Sequence, residues 1–154
     1  MKVSIVMGSK SDLDLAKAAG EILDTLDVPY TINILSAHRT PELLHTHIDE
    51  AIADGVRVFI GIAGLAAHLA GNVASKTTRP VIGVPGVGGP LNGFDALLST
   101  VQMPKGVPVA TVATGTPFGI CTVDKRASNP FKGPPSPGTP MTGSVVLEAT
   151  FPAK

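Results

Sequence analysis

The chain has no tryptophan, one tyrosine, five phenylalanines and one cysteine in 154 residues. The single thiol, Cys121, rules out a disulfide framework within the chain and any site built from several cysteines. That pattern suits a reducing compartment. No base lies near Cys121 in sequence, so it reads as non-catalytic. Charge is scarce as well: Lys, Arg, Asp and Glu make up 16%, and 12 cationic residues balance 12 anionic ones. A broad basic footprint for nucleic acid is therefore not expected. A small anionic ligand needs only a few donors and stays open. Long apolar runs are missing too. "VSIVMG" (3–8) is too short for a signal-peptide core or a membrane span. The expectation is a soluble, cytoplasmic protein with neither a membrane nor a nucleic-acid partner.

What is present is alternation. Apolar residues reach 44%, enough for one domain with a sizeable core. β-rich apolar stretches predict strands over 2–8, 30–37, 56–64, 80–86 and 106–115. Helical spacing of Leu15, Ala19, Ile22, Leu23 and Leu26 predicts a first helix capped by Ser11 or Asp12. A second runs over 40–55, with Thr40 as N-cap, Pro41 at the first position and Gly55 as the stop. A short helix over 65–77 is rich in small residues, and a fourth lies near 94–102. Strands alternating with helices predict a parallel five-stranded sheet with helices on both faces, in the flavodoxin-like order 2-1-3-4-5. Residues 1–115 form this domain. Residues 116–154 carry seven of the fourteen prolines and read as an irregular Pro-rich arm, with one short strand possible at 144–151.

In such sheets ligands bind beyond the carboxyl ends of the strands. "GSKSD", "SAHRT", "AGLAAH" and "PGVGGPLNG" all follow strands, so they should converge on one rim. In the first, Gly8 permits close approach, Ser9 and Ser11 supply hydroxyls, and the helix start offers N–H groups to an anion. A plain capped turn explains the same residues, and Asp12 could cap the helix or hold ligand hydroxyls. In the second, Arg39 suits a phosphate or carboxylate, and His38 is a side chain able to shuttle a proton near neutrality. A hydrated loop is the alternative. His68 stands at a small-residue helix start, where histidine is more often structural. His45 and His47 fall inside the second helix and read as structural or solvent-facing. His38 and His68 lack the carboxylate cluster of a zinc site, so no metal is expected. The Gly-rich stretch 86–93 reads as flexible loop or as a lid over a small ligand.

Taken in order, "VMGSKSD", "SAHRTPE", "AGLAAHLAG" and "LNGFDALLSTVQMPKGVPVATV" resemble the N5-carboxyaminoimidazole ribonucleotide mutase family of purine biosynthesis. That family is also described as the catalytic subunit of phosphoribosylaminoimidazole carboxylase. The resemblance covers residues 3 to about 113. It implies a flavodoxin-like three-layer sandwich, a homo-octamer, and transfer of a carboxylate from the exocyclic nitrogen of the imidazole ribonucleotide to ring carbon C4. No cofactor is implied, whether metal, ATP or biotin. An ATP-dependent N5-carboxyaminoimidazole ribonucleotide synthase would supply the substrate. The resemblance further implies that Gly8, Ser9, Ser11 and Asp12 bind the ribose phosphate end. Ser36, Ala37, His38 and Arg39 form the central motif, with His38 as general acid and base and Arg39 on phosphate. Gly64, Ala66, Ala67, His68 and Leu69 line the pocket that retains carbon dioxide and carboxylate.

A related branch carboxylates the aminoimidazole ribonucleotide directly with carbon dioxide. It resembles "SAHKT" and lacks "AAHL", so Arg39 and His68 favour the mutase. Two further alternatives are a non-catalytic nucleotide-binding module and a carboxylase acting on a pyridine nucleotide. Leu65 stands where the family usually has glycine, and Ala70 where it often has proline. A leucine there would narrow the pocket or impose a different backbone angle. The segment after Thr114 also departs from the family pattern, which continues into a helix.

Overall fold

The apolar stretch after Met1 forms β1 (Lys2–Met7), an interior strand of a sheet that needs both of its faces covered. The computed structural model describes residues 1–112, so the Pro-rich arm, Cys121 and the far end of the fifth predicted strand lie outside the described residues. β1 is followed by a single 3-10 turn (Lys10–Asp12) and α1 (Leu13–Thr25). Next come β2 (Tyr30–Ile34), α2 (Pro41–Ala53), β3 (Val56–Ala63) and α3 (Leu69–Lys76). β4 (Val81–Pro85), α4 (Phe94–Val101) and β5 (Ala110–Thr111) complete the order. The sheet runs β2-β1-β3-β4-β5, parallel throughout, in the flavodoxin-like order expected from the alternation.

Alternate residues of the strands feed two cores. On one face Leu44, Ile48, Phe59 and Val73 pack together beneath α2 and α3. On the other, Val3, Ile5, Met7 and Ile62 meet Ala16 of α1. The fully buried Ser4 interrupts the apolar run of β1, and its hydroxyl is matched by His47 Nε2 at 2.9 Å. His45 Nε2 meets Asn72 Oδ1 at 3.1 Å, so both helix histidines hold elements together. Lys2 pairs with Asp54.

Several boundaries differ from the sequence reading. α1 starts at Leu13, and neither Ser11 nor Asp12 caps it through a side chain. β2 ends at Ile34, four-residue bonding between Thr40 N–H and Ser36 O having already turned the chain. Thr40 occupies the N-cap of α2 and Pro41 its first turn as expected, and Gly55 takes φ +88° beyond its end. α3 begins at Leu69 rather than 65. There the N–H groups of Ala67 and His68 bond to carbonyls two residues back, which is γ-turn and not helix geometry. β5 occupies only 110–111 of its expected range. Residues 106–109 are turn and coil, since Gly106 sits at φ +94° and Pro108 has no N–H for the ladder.

α3 and α4 approach the sheet closely because glycines face them. A Cβ at Gly61 would lie 3.0 Å from Ala70 Cα. A Cβ at Gly83 would strike Thr100 Cγ2 and come within 2.8 Å of Val109 Cγ1 and 3.2 Å of Ala70 Cβ. Gly83→Ala is therefore expected to destabilise the fold by about 1–3 kcal/mol through overpacking. A lowered midpoint in urea denaturation, with an unchanged slope, is the measurement that checks it.

Candidate active site

Parallel register brings the strand ends level. Met7 pairs with both Ile34 and Ile62, and Ala63 pairs with Pro85. The four loops that follow therefore leave the sheet side by side. Between them lies a pocket of about 690 Å³, lined by Gly8, Ser9, Ser11 and Asp12 from the first loop. Ser36, Ala37, His38 and Arg39 line it from the second, and Gly64, Ala66 and Leu69 from the third. Eleven of the thirteen residues singled out from sequence thus converge on one cavity. Ala67 and His68 do not line it. Ala67 is buried beneath, and His68 stands behind His38. The sequence reading left Ala63 unassigned and treated Leu65 and the stretch 86–89 only as a departure and a lid. All of these also line the cavity.

The first loop is ordered by its own side chains. Ser9 donates its N–H at 3.1 Å and its hydroxyl at 2.9 Å to Asp12 Oδ2. The Ser9 N–H is thus already engaged and is not offered to an anion. The Ser9 and Ser11 hydroxyls touch each other. Asp12 is 8% exposed and aims its carboxylate at the base of the pocket, where a Cβ on Gly86 would lie 3.4 Å from Oδ1. A carboxylate fixed in this way is an acceptor for ligand hydroxyls.

The second loop is tied by Thr40, whose Oγ1 accepts Ser36 N–H at 3.2 Å and donates to Ser36 O at 3.1 Å. Ser36 Oγ in turn accepts Arg39 N–H at 3.2 Å. These bonds fix the turn that presents His38 and Arg39, both exposed. Arg39 Nη2 reaches Gly8 O at 3.4 Å, so the guanidinium leans across the first loop while keeping other donors for a ligand. The third loop rests on α4, where the buried Thr100 hydroxyl donates to Ala96 O at 2.8 Å and to Ala67 O at 3.3 Å.

His38 and His68 meet edge to face, with ring centroids 4.2 Å apart and planes at 65°. Burial first, and the neighbouring His38 second, push the His68 pKa below its usual value, with the Ala66 backbone opposing. A neutral His68 suits a ring that supports another imidazole, because a second positive charge there would repel a protonated His38. Among the described residues no group of three or more His, Cys, Asp or Glu side chains is placed to hold a metal.

The AIR carboxylase family model matches residues 2–123. This chain belongs to that family. It is 54% identical over 113 residues to the N5-carboxyaminoimidazole ribonucleotide mutase of Bacillus subtilis, covering 73% of this chain and 70% of that protein. It is 56% identical over 111 residues to the Pyrococcus horikoshii protein of the same name, covering 72% of this chain and 63% of that one. Among solved structures, that of Treponema denticola PurE superposes with a TM-score of 0.68 at 34% identity, covering 73% of this chain and 71% of that one.

The lowered pKa of His68 has a consequence for stability. Below about 6.5, the ordinary histidine value, the unfolded chain binds a proton that folded His68 resists. Its contribution is therefore complete above that pH and is lost as pH falls through the lower folded value. His47 acts in the same direction, chiefly through burial, with Glu50 opposing. Denaturant unfolding at about pH 7.5 and about pH 5.5 should show a smaller acid loss in a His47→Gln, His68→Asn double variant than in the parent.

Proposed function

We propose that the chain is an N5-carboxyaminoimidazole ribonucleotide mutase, converting its substrate to 4-carboxy-5-aminoimidazole ribonucleotide in purine biosynthesis. The observation that carries this reading is an exposed imidazole, His38, on the wall of a pocket that also holds Arg39, Ser9, Ser11 and Asp12. Kinship at 54% and 56% identity to proteins of that name supports it. The phosphate takes the Arg39 guanidinium and the Ser9 and Ser11 hydroxyls, which rotate away from Asp12 and from each other when it binds. Asp12, whose negative charge suits no phosphate, accepts from ribose hydroxyls. Gly8 lets the backbone approach the ligand, and Ser36 and Ala37 shape the wall beneath the base. Gly64, Ala66 and Leu69 surround the carboxylate, over Ala67 and His68.

His38 begins protonated. It gives its proton to the carbamate nitrogen, the C–N bond breaks, and carbon dioxide is released within the pocket. The enamine-like C4 then attacks that carbon dioxide and the new C–C bond forms. His38, now neutral, removes the C4 proton and returns to its starting state. Protons and electrons balance with one side chain, so the cycle calls for no metal, ATP or biotin. One imidazole can serve twice because the two transfers are sequential.

The catalytic domain in this reading is residues 1–115, with 116–154 an appended arm. The protein works in the cytoplasm as a homo-oligomer, an octamer by family pattern, and receives substrate from an ATP-dependent synthase. Direct carboxylation by carbon dioxide is the second reading; that branch resembles "SAHKT" and lacks "AAHL", so Arg39 and His68 favour the mutase over it.

Spectrophotometry of the purified protein with each ribonucleotide, without ATP, tests the choice. The mutase interconverts the two carboxylated forms. The direct carboxylase ignores the N-carboxylated one and needs added carbon dioxide. His38→Asn is expected to lower kcat by about 10²–10⁴-fold, the usual worth of a general acid and base. Unchanged turnover in that variant rules out the mechanism.

A further inference from the structure

Leu65 has a backbone that side chains avoid. Its φ is +57°, in the left-handed region where a Cβ meets the following carbonyl. It is also a large apolar residue left 53% exposed, on the pocket wall. Outliers of this kind persist only where the surroundings hold them, and they gather at functional sites. Here the surroundings are visible. The γ-turn bonds of Ala67 and His68 to Leu65 O and Ala66 O curl the chain tightly after it. That curl turns the Leu65 side chain toward the Gly86–Gly93 loop, where its Cδ2 occupies the place a Cβ on Gly89 would need.

The two loops thus touch twice. At the pocket base, Gly64 and Gly86 pass backbone to backbone, a Cβ on Gly86 lying 3.4 Å from Gly64 Cα. At the rim, Leu65 meets Gly89. The base contact is anchored by Gly86 N–H to Ala63 O at 2.8 Å. Farther out the Gly86–Gly93 loop bonds to itself, Asn92 N–H to Gly89 O at 3.3 Å and Gly93 N–H to Gly88 O at 3.1 Å. Gly89 and Gly93 both have positive φ, so the loop is shaped by glycine and held at its rim by a neighbour's side chain.

We propose that Leu65 is the positioning residue that latches the Gly86–Gly93 loop over the pocket and thereby keeps the released carbon dioxide from escaping before C4 attacks it. The retention half rests on the mutase reading; the latch does not. Carbon dioxide is small and carries no charge, so polar side chains give it little grip. Closing the exit with a methyl-bearing side chain against bare glycine backbone is the available means of holding it, and such closure also keeps water from the intermediate.

Leu65→Ala, Leu65→Gly and Leu65→Met are the variants to compare. Glycine accepts φ +57° freely, so its variant retains the fold. Hydrogen exchange is read over residues 86–93, with α2 as internal control. Turnover is run in ¹³C-labelled bicarbonate, and label is measured in the C4-carboxylated product. The Ala and Gly variants are expected to exchange about tenfold faster over 86–93, with α2 unchanged. Label incorporation should rise about fivefold or more relative to turnover, and Met should restore both readouts. Unchanged exchange in the Ala and Gly variants overturns the latch. Faster exchange without added label overturns retention. A wild-type protein that moves no carboxylate removes the mutase reading and retention with it, while the exchange result still decides the latch.

Discussion

Parallel pairing in register is the constraint on which the site depends. Met7 lies opposite Ile34 on one side and Ile62 on the other, and Ala63 lies opposite Pro85. A parallel ladder admits no hairpin between neighbours, so each strand must release its chain into a loop at the same edge. Gly8, Ser36, Gly64 and Gly86 therefore emerge close together, though they are spread across half of the sequence. A slip of one residue in β1 would exchange the two core faces, placing Ser4 and Val6 where Ile5 and Met7 now pack. The burial of Leu44, Ile48 and Phe59 on one face and of Ile5 and Met7 on the other thus also fixes where the pocket residues stand.

Much of this was legible because local and global signals agreed. Thr40, Pro41 and Gly55 mark α2 by backbone chemistry that owes nothing to tertiary context, and the helix runs where they say. The apolar runs gave the strands, their alternation with helices gave the order, and the order gave the rim. At the starts of α1 and α3, where the reading failed, a hydrogen bond between residues near in sequence had displaced the regular pattern. Asp12 looks like a cap, yet its carboxylate is taken by the backbone and hydroxyl of Ser9. "LAAH" has helix-forming residues, yet left-handed Leu65 and two γ-turn bonds delay α3 until Leu69. Composition does not reveal such bonds, because the same residues serve either conformation. The contact of His68 with His38 was hidden for a different reason: it joins loops thirty residues apart through ring orientation alone.

The scarcity of charge fits the site. With 12 cations and 12 anions in the chain, nothing draws an anion over long range, and recognition falls to a few placed donors. The Arg39 guanidinium leans on Gly8 O, and the Arg39 backbone N–H is received by Ser36 Oγ, so the residue is held at its backbone and at its tip. Holding the donor in advance lowers the entropy lost when ligand binds. Asp12 makes the opposite contribution. A carboxylate near a phosphate site is repulsive unless separated from it, and its two bonds from Ser9 keep it turned to the pocket base.

In the proposed cycle an exposed imidazole and a retained gas make opposing demands on one pocket. In that cycle His38 meets a ribonucleotide that enters from solvent, and His38 and Arg39 are the exposed side chains of the second loop, next to a buried Ala37. A carbon dioxide molecule set free beside it is lost unless the opposite wall closes. The fold separates these tasks by strand. β1 and β2 carry the loops with the polar side chains that would grip and protonate in that cycle. β3 and β4 carry loops of glycine, alanine and leucine that offer shape without charge. Because the sheet is parallel, polar and apolar walls face each other across β1 and β3, and neither compromises the other. The apolar side is also where backbone strain is found, at Leu65, and where glycine leaves room for it, at Gly89. The contact has a carboxylate beside it, for Asp95 Oδ2 lies 3.8 Å from where a Cβ on Gly89 would stand, and His68 farther along the Leu65 loop touches His38. The unfavourable backbone angle of Leu65 is thus set at the pocket mouth, on the wall that supplies shape, while the polar side chains of Ser9, Ser11, His38 and Arg39 stand on the loops of β1 and β2.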